Sequence, residues 1–351
     1  MIYAVIMAGG KGVRLWPQSR EHKPKQLWEL LNGRSMLQDA VDRVVPLIEP
    51  QHVLVITGEP FYCQIRDQLS QIPSRHIILE PMGRSTAPCV GLAALYINDP
   101  DACMVVLPSD HVIRNNQEFQ RALQIAVDMA SQGENLVTFG IKPTRPDTGF
   151  GYIQRGEAVQ PEVYKVLQFT EKPDLATAER FMVSGQYYWN SGMFVWKVST
   201  LMTMIERYLP KLYQGLLTIR SAMGSLEEQD VITAVFNEFD PISIDYGIME
   251  NAENTYVVPG DFGWNDVGSW AALADVGEAD QDGNSCRGQV VTLDSYGNIV
   301  YDSDGLTALI GVKDLIVVRV RDAVLVCPKD RAQQVRELVD KLETQGMTAY
   351  L

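Results

Sequence analysis

The sequence predicts an α/β fold built on a doubly wound, mostly parallel sheet. Apolar runs alternate with stretches of helical periodicity up to about residue 140, which is the order of repeated βαβ units. The first run, Tyr3–Met7, is apolar throughout, as expected for a strand buried on both faces of a sheet. From about residue 285 the alternation gives way to short apolar runs and turn residues. This second texture predicts a small, separate β-rich domain.

Further runs along the chain support the alternating pattern. The predicted strands are His52–Thr57, His76–Leu79, Ala102–Leu107, Leu136–Gly140 and, later, Val163–Phe169. The predicted helices are Met36–Val45, Tyr62–Gln71, Ala87–Ile97 and Gln117–Ala130. In the last helix the apolar side chains recur at the spacing of a buried stripe, at Phe119, Ala122, Leu123, Ala126 and Ala130. In such folds ligands bind at the carboxyl ends of the strands.

Composition narrows the class of protein. The chain has 351 residues, of which 46% are hydrophobic and 21% charged, and a formal net charge of −14. This length suggests about two domains, and the acidic balance argues against nucleic acid or an anionic membrane as a partner. No apolar stretch reaches the ~18 residues of a membrane span, and the N-terminus lacks the charged region of a secretory signal. We therefore expect a cytoplasmic protein.

A glycine-rich loop follows the first strand and has an unusual charge for this chain. Residues 11–25 carry five Lys or Arg side chains, beginning with Lys11, but only one acid. Glycine lets the main chain approach an anion closely, so that backbone N–H groups can surround it. A polyphosphate ligand is one explanation, and a glycine turn with scattered surface charges is the other. The candidate anion-binding residues are Ala8, Gly9, Gly10, Gly12, Arg14 and Lys25.

The loop does not match the two most familiar phosphate-binding patterns. Leu15 stands where G-x-G-x-x-G requires its third glycine, and the Walker pattern is absent. The motif present is G-G-x-G-x-R-L-x-P, followed by P-K-Q at residues 24–26. This pair resembles the signature of the nucleotidyltransferases that join a sugar 1-phosphate to a nucleoside triphosphate. The resemblance implies a Rossmann-like nucleotidyltransferase fold in which Arg14 and Lys25 bind phosphate.

A second motif, Glu80–Pro88, follows a predicted strand and opens a predicted helix. From the residues alone it is a capped turn, with Ser85 or Thr86 as the N-cap. It also resembles the E-P-x-G-R-N-T-A-P stretch that mannose-1-phosphate guanylyltransferases carry near the nucleotide base, with serine in place of the usual asparagine. The resemblance implies nucleotide contacts from Glu80, Pro81, Arg84 and Thr86.

A third motif, Ser109-Asp110-His111, follows the apolar run that ends in Pro108. A carboxylate at such a strand tip is well placed for Mg²⁺, which proteins hold with one or two carboxylates plus substrate phosphates. A helix or turn cap is the plain alternative. The P-S-D-H aspartate of the family is a magnesium ligand. The resemblance therefore assigns Asp110 to Mg²⁺, to the nucleotide and to the sugar, and Ser109 to the nucleotide.

Glycine and aromatic residues cluster in four short stretches, Thr148–Ile153, Ile244–Glu250, Tyr187–Trp196 and Gly263–Trp270. Aromatic planes beside glycines suit a sugar ring, although such residues also occur as ordinary core aromatics. The last two stretches, together with Phe169–Pro173, match the W-N-S-G, W-x-D-V-G-S-W and F-x-E-K-P segments of the family. The resemblance implies that sugar-binding residues are Gly149, Glu171, Lys172, Asn190 and Asp266.

Two of these residues have additional implied roles. Lys172 is assigned to the sugar phosphate and Asp266 to Mg²⁺, as the second carboxylate beside Asp110. Asn265 and Asp261 are close enough in sequence to replace Asp266 as the second metal ligand.

The C-terminal segment predicts a small β unit closed by a helix. Turn residues at Asp294–Asn298 and Asp302–Gly305 separate short strands. The runs Lys313–Val318 and Arg321–Val326 have similar sequences and begin eight residues apart, as in a crude repeat. A helix is predicted over Asp330–Glu343. Its apolar stripe comprises Ala332, Val335, Leu338, Val339 and Leu342. In the family this region is a β-helix-like domain.

At least five motifs match in family order along nearly the whole chain, so the chain is identified as a member of the sugar nucleotidyltransferase family, similar to the mannose-1-phosphate guanylyltransferases. The implied domains are a catalytic domain, 1–284, and a small β-rich domain with a C-terminal helix, 285–351. The implied Mg²⁺-dependent reaction transfers GMP from GTP to α-D-mannose 1-phosphate and gives GDP-mannose and pyrophosphate. Arg14, Lys25 and Lys172 act catalytically by neutralising phosphate charge.

Alternatives remain within and outside this class. The substrate could be another hexose or heptose 1-phosphate, or another nucleoside triphosphate, and the chain could be a non-catalytic sugar-nucleotide sensor. Both metal carboxylates and both loop cations are present, which argues against the sensor because binding alone does not need all four. The expected partners are GTP and mannose 1-phosphate, with no nucleic acid and no membrane. We also expect a homodimer, although no motif bears on the oligomeric state.

Overall fold

A computed structural model describes residues 1–10, 12–30 and 33–351 of the chain. Lys11, a member of the predicted anion-binding loop, lies outside the described residues. The chain divides into two units, each made of three stretches. Unit 1 comprises Met1–Gly9, Gln38–Ser109 and Ile113–Trp264, and unit 2 comprises Gly10–Leu37, Asp110–Val112 and Asn265–Leu351. The predicted domain boundary after residue 284 stays a prediction.

The described chain alternates strands and helices. The strands are β1 (Ile2–Met7), β2 (Val53–Gly58), β3 (Ile77–Glu80), β4 (Cys103–Pro108), β5 (Val112–Ile113), β6 (Leu136–Ile141), β7 (Tyr152–Gln160), β8 (Val163–Thr170), β9 (Tyr187–Lys197), β10 (Thr255–Gly260), β11 (Trp264–Asn265), β12 (Ser285–Leu293), β13 (Ile299–Ile310), β14 (Leu315–Val320) and β15 (Ala323–Pro328). The α-helices are α1 (Met36–Val44), α2 (Tyr62–Gln68), α3 (Thr86–Leu95), α4 (Asn116–Ser131), α5 (Leu175–Ser184), α6 (Val198–Tyr208), α7 (Pro210–Ala222), α8 (Glu228–Glu238), α9 (Trp270–Ala274) and α10 (Val335–Thr344). Within the described ranges, none of these helices has both the length and the apolar character needed to cross a bilayer.

The main sheet of unit 1 has nine strands in the order β3-β2-β1-β4-β9-β6-β10-β8-β7. Strands β3, β2, β1 and β4 are parallel neighbours, as are β6 and β10, whereas β9 runs antiparallel to β4 and to β6. In the centre, Val5 of β1 lies beside Leu54 of β2 and Val106 of β4. The predicted α/β fold with a mostly parallel sheet is confirmed, and the strands and helices predicted before residue 142 are all present with ends shifted by a few residues.

The central strand β1 is covered on both faces by the core of unit 1. Ala4–Ile6 is fully buried, as its uniformly apolar sequence predicts. Helix α3 is buried on every side over Ala87–Leu95. At its middle, a Cβ on Gly91 would lie only 2.8 Å from Cδ1 of Leu216 on α7. This close packing gives the segment that precedes α3, Glu80–Ser85, a rigid base.

Unit 2 contains a four-stranded sheet in the order β12-β13-β14-β15. The first three strands are parallel, and β14 and β15 form an antiparallel pair. Ser285 lies beside Ile299, and Ile299 lies beside Ile316, so successive parallel strands are joined by short turns. Parallel strands ordinarily need a long crossover connection. The chain coils here in the manner of a β-helix, which confirms the predicted β-helix-like region.

The predicted turn at Asp302–Gly305 is wrong as a strand boundary, because β13 continues through it. The four residues stand opposite Gly288 of β12, where the pairing register shifts. The Asp302 carboxylate holds this bulge by accepting hydrogen bonds from the backbone N–H of Asp304 at 2.9 Å and from the Thr307 hydroxyl at 2.6 Å. Asp and Gly residues serve bulges as well as turns, and composition does not separate the two.

The predicted helix over Asp330–Glu343 begins later than expected. A 3-10 helix covers Lys329–Gln334, and α10 follows it. Ala332 and Val335 of the predicted stripe are each 3% exposed, whereas Leu338 is 36% exposed. Tighter 3-10 turns are common at helix starts, and over one turn their apolar spacing cannot be distinguished from that of an α-helix.

The core of unit 2 is built around tryptophans. Trp16, Trp28 and Trp270 are buried in one cluster with Leu15 and with apolar residues of β13, β14 and α10. The rings of Trp28 and Trp270 stack with centroids 6.0 Å apart, and Nε1 of Trp270 donates to the carbonyl of Trp16 at 2.9 Å. Nε1 of Trp16 in turn donates to the carbonyl of Tyr350 at 2.7 Å. The segment after the glycine-rich loop therefore shares a core with the C-terminal helix.

Replacing Gly288 by alanine should destabilise the chain by about 2 kcal/mol or more. Gly288 has φ of +98°, and a Cβ there would overlap the carbonyl oxygen of Asp302. Gly311→Ala is the matched control, because its φ of +66° is also left-handed but no atom lies within 4 Å of the added Cβ. That control should cost about 1 kcal/mol. Equilibrium unfolding in urea compares the two, and equal losses would contradict the steric explanation.

Candidate active site

The glycine-rich loop leads into a cavity within unit 2. Gly12 has φ of +63°, and a Cβ on it would lie 2.7 Å from Cβ of Lys25 and 2.9 Å from Oγ of Ser19, so only glycine fits. A 3-10 turn, Val13–Leu15, then brings Arg14 to the cavity wall. The cavity has a volume of about 260 Å³ and is lined by Gly12, Val13, Arg14, Leu15, Lys25, Asp110, His111, Asp266, Val267, Gly268 and Arg336.

Lys25 links the predicted phosphate and metal residues of this cavity. It is 3% exposed, and its Nζ donates to Oδ2 of Asp110 at 2.9 Å and to the backbone carbonyl of Asp266 at 2.5 Å. A buried ammonium needs such partners because an uncompensated charge in the interior is costly. Burial acts to raise the pKa of Asp110, but the Lys25 ammonium beside it holds that pKa below its usual value. Asp110 is therefore a carboxylate at neutral pH.

The oxygen ligands of the cavity fit a divalent cation that is coordinated partly by protein carboxylates and partly by phosphate oxygens. Asp110 and Asp266 both line the cavity, and Oδ1 of Asp266 accepts a hydrogen bond from the N–H of Gly268 at 3.2 Å. In the part of the chain that the structure describes, no group of three or more His, Cys, Asp or Glu side chains is placed to hold a metal ion. Two carboxylates suit Mg²⁺, which takes its remaining ligands from water and substrate phosphates.

A second group of predicted residues lies in unit 1, at the end of β3. Glu80 is 8% exposed, and a Cβ on Gly9 would lie 3.6 Å from its Oε2. Its Oε1 is buried and accepts no hydrogen bond from the described residues. Burial raises the pKa of Glu80 to about 7, against the effect of a hydrogen bond from the backbone of Arg84. An unsatisfied buried oxygen costs free energy, so it marks a place where a ligand that donates hydrogen bonds would be stabilised.

Arg84 and Thr86 form contacts within the fold. The Arg84 guanidinium donates to two backbone carbonyls at the end of α8, at 2.9 and 3.0 Å. The Thr86 hydroxyl accepts a hydrogen bond from the backbone N–H of Ile244 at 2.9 Å. Ser85 occupies the N-cap position of α3 with φ of +68° and makes no side-chain cap. The predicted cap is therefore wrong for both residues, because the left-handed backbone of Ser85 and the outside partner of Thr86 replace it.

Other predicted nucleotide residues extend the central strands of unit 1. The N–H of Ala8 donates to the carbonyl of Ile56 at 2.8 Å. The N–H and the hydroxyl of Ser109 donate to the carbonyl of Met7 at 3.0 and 2.7 Å. The remaining predicted nucleotide residues, which are exposed or half-buried, are Gly9, Gly10 and Pro81.

Three of the predicted sugar residues, Glu171, Lys172 and Asn190, form side-chain hydrogen bonds in unit 1. Nδ2 of Asn190 donates to Oδ1 of Asp245 at 2.7 Å, and Nζ of Lys172 donates to Oε1 of Glu171 at 2.6 Å. Burial, reinforced by the negative charge of Glu171, raises the pKa of Asp245 to about 6. Burial acts to lower the pKa of Lys172, but its bond to Glu171 raises it above the usual value. The group offers closely spaced donors and acceptors of the kind that bind hydroxyls.

Asp245 and Gly151 lie in the glycine and aromatic stretches of the sequence, but the sequence analysis assigned neither residue a role. Asp245 opens a one-turn π-helix and contacts the network through Asn190. A Cβ on Gly151 would overlap Oε2 of Glu171, which is buried and has no hydrogen-bond partner among the described residues. Gly149, the predicted residue, is exposed and donates its N–H to Asp147 at 2.8 Å. Gly151, two residues after Gly149, is the glycine that packs against the Glu171 carboxylate.

Arg336 is a further cation that no motif indicated. It is the second residue of α10 and lines the unit 2 cavity. In the sequence it is an ordinary polar position of an amphipathic helix, so only the three-dimensional contacts of α10 bring it to notice.

Comparison with known families gives two matches that together span most of the chain. A family model described as nucleotidyl transferase matches residues 3–283. A second model, described as the MannoseP isomerase/GMP-like beta-helix domain, matches residues 288–342.

Individual relatives agree with these matches. The xanthan biosynthesis protein XanB of Xanthomonas campestris is 42% identical over 98% of this chain and 74% of its own length. A mannose-1-phosphate guanylyltransferase of Salmonella muenchen is 41% identical over 99% of this chain and 74% of its own length. A crystal structure from Thermus thermophilus, described as a mannose-1-phosphate geranyltransferase, has a TM-score of 0.89 and 36% identity over 97% of this chain and 99% of that one. The chain therefore belongs to the nucleotidyl transferase family and, within it, to the mannose-1-phosphate guanylyltransferases.

Proposed function

We propose that the chain transfers GMP from GTP to α-D-mannose 1-phosphate, giving GDP-mannose and pyrophosphate in an Mg²⁺-dependent reaction. A phosphate oxygen of the sugar phosphate attacks the α-phosphorus of GTP, and the bond from that phosphorus to the bridging oxygen of pyrophosphate breaks. The sugar phosphate supplies the attacking oxygen, so no protein nucleophile is needed. The names of the relatives support the reaction class, and the carboxylate of Glu80 is the observation that carries the choice of base.

Glu80 has the chemistry that distinguishes guanine from the other bases. Guanine presents two adjacent N–H donors, on N1 and on its 2-amino group, and a carboxylate can accept both with its two oxygens. Adenine presents an acceptor at N1, while uracil and thymine present a single N–H between two carbonyls. The buried Oε1 of Glu80 accepts no hydrogen bond from the described residues, and burial raises the pKa of this carboxyl group to about 7. Two hydrogen bonds donated by guanine would favour the ionised form and so offset the effect of burial.

In this proposal the catalytic residues are Arg14, Lys25 and Lys172, which neutralise the negative charge of the two reactants. Two unit charges about 4 Å apart repel by about 4 kcal/mol at an effective dielectric constant near 20, so two polyanions need cations to meet. Arg14 and Lys25 bind the triphosphate, and Lys172 binds the sugar phosphate. Asp110 and Asp266 hold Mg²⁺, which when bound neutralises and polarises phosphoryl oxygens.

Asn190, Asp245 and Glu171 are proposed to bind the sugar ring, because they offer amide and carboxylate groups to its hydroxyls. Gly151 leaves room for the Glu171 carboxylate. The two proposed domains, a catalytic domain over 1–284 and a small β-rich domain over 285–351, rest on the family resemblance. We also propose a homodimer and a cytoplasmic location.

The first test concerns the base. GTP should exceed ATP, UTP and dTTP in kcat/KM by at least about tenfold, roughly 1.4 kcal/mol. Glu80→Gln should lower the ratio of kcat/KM for GTP to that for the other nucleotides by about tenfold. In this variant the NH2 group of the glutamine amide would face one of the guanine N–H donors, and two donors cannot form a hydrogen bond. Glu179→Gln, at an exposed position of α5, is the control. Pyrophosphate release with the four nucleotides measures the effect, and equal wild-type turnover of UTP or dTTP would contradict the assignment of GTP.

The second test concerns the loop cation. Arg14→Ala should lower kcat/KM by about 10² while leaving Tm unchanged, because the side chain is exposed and charge-assisted bonds to phosphate act mainly in the transition state. Arg321→Ala, an exposed arginine of the same unit, should keep full activity. Lys25→Ala should lower both the activity and the Tm, because it removes the ion-pair partner of Asp110. Full activity in Arg14→Ala would show that the loop has another role.

The third test concerns the metal. Asp110→Asn and Asp266→Asn should each raise the Mg²⁺ concentration needed for turnover and lower kcat steeply, because each removes one anionic ligand. Asp282→Asn, an exposed acid of unit 2, should behave as wild type. Activity is titrated against Mg²⁺ for the three variants, and turnover in excess EDTA would rule out the metal. If Asp110→Asn alone fails, the second ligand is another group.

A further inference from the structure

Two of the residues that line the cavity of unit 2 are exposed arginines without an ion pair in the described ranges. Lys25 pairs there with Asp110. Arg14 and Arg336 also line the cavity, but neither forms a side-chain hydrogen bond or an ion pair with another residue in the described ranges. Like charges that face one small cavity repel each other until an anion enters between them. With Lys25 and Asp110 paired, the remaining cations of the lining, Arg14 and Arg336, outnumber the one remaining acid, Asp266, and this balance favours an anion with several acceptor oxygens.

Arg336 is held beside this cavity by the core of unit 2. The residue before it, Val335, is 3% exposed and packs in the same cluster as Leu15, which follows Arg14. The chain after α10 is tied down as well, because Nε1 of Trp16 donates to the carbonyl of Tyr350 at 2.7 Å. The backbones that carry the two guanidinium groups are thus fixed by one packed core, so Arg336 does not reach the cavity by chance rotation of a loose segment.

We propose that Arg336, together with Arg14, binds the pyrophosphate leaving group, and this inference rests on the function proposed above. As the bond from the α-phosphorus to the bridging oxygen breaks, its electron pair passes to pyrophosphate, which gains negative charge. A guanidinium fork matches two phosphate oxygens better than a point charge does. Arg336 stabilises the charge that develops on the leaving group. The C-terminal helix would then take part in the reaction and not only in the stability of unit 2.

Direct binding tests this assignment without turnover. Pyrophosphate is titrated calorimetrically into the whole chain, with and without Mg²⁺ and in the absence of any nucleotide. Arg336→Ala should weaken binding by about tenfold, and Arg336→Lys by less, because the lysine keeps the charge but not the fork. Lys341→Ala, a cation on the same helix that does not line the cavity, should bind as wild type. Unchanged affinity in Arg336→Ala would overturn the assignment.

Kinetics of the reverse reaction separate a binding role from a structural one. When pyrophosphate cleaves GDP-mannose, Arg336→Ala should raise KM for pyrophosphate by about tenfold and leave KM for GDP-mannose and Tm unchanged. A parallel rise in both KM values with a lower Tm would mean that Arg336 acts only on the fold, and the assignment would be wrong. If wild-type chain binds pyrophosphate through Arg336 but does not turn over GTP, the proposed function fails and the anion site stands. If GTP turnover and pyrophosphate binding are both normal in Arg336→Ala, only the present inference fails.

Discussion

The cavity of unit 2 depends on the burial of one ammonium group. Lys25 is 3% exposed, so its charge has to be balanced from within the protein. The Asp110 carboxylate and the Asp266 carbonyl provide that balance, and they bring two segments far apart in the sequence to the same place. Gly12 completes the arrangement, because any side chain there would occupy the space of the Lys25 side chain. The glycine, the lysine and the two aspartates thus form a single structural requirement.

The acidic residues of the two units differ in what shifts their pKa values. In unit 1, burial raises the pKa of Glu80 to about 7 and that of Asp245 to about 6. Such carboxyl groups readily exchange a proton for a hydrogen bond, which suits the N–H and O–H groups of an uncharged base or sugar. In unit 2, the ammonium of Lys25 keeps the pKa of Asp110 low against the effect of burial. A permanent carboxylate beside exposed cations suits metal and phosphate.

Local pattern accounts for what the sequence could predict. Periodicity located the strands and helices of the main sheet because each depends on its own residues and one buried face. The glycine-rich loop was also visible, since Gly12 must adopt a left-handed conformation. By contrast, the contact of Asp245 with Asn190, the use of Arg84 within the fold and the place of Arg336 all arise from segments distant in sequence. Local sequence patterns do not predict contacts between segments so far apart, and the family motifs did not include Asp245 or Arg336.

Unit 2 is assembled from three separated stretches, Gly10–Leu37, Asp110–Val112 and Asn265–Leu351. On the ribosome, Trp16 emerges long before Trp270, yet the two share one buried cluster. That cluster cannot close until the segment that carries Val335 has been translated, so the earlier loop remains without its native partners until then. Contacts of such long range slow folding and leave apolar surface exposed in the meantime. A nascent chain can therefore form the main sheet before the cavity of unit 2 has formed.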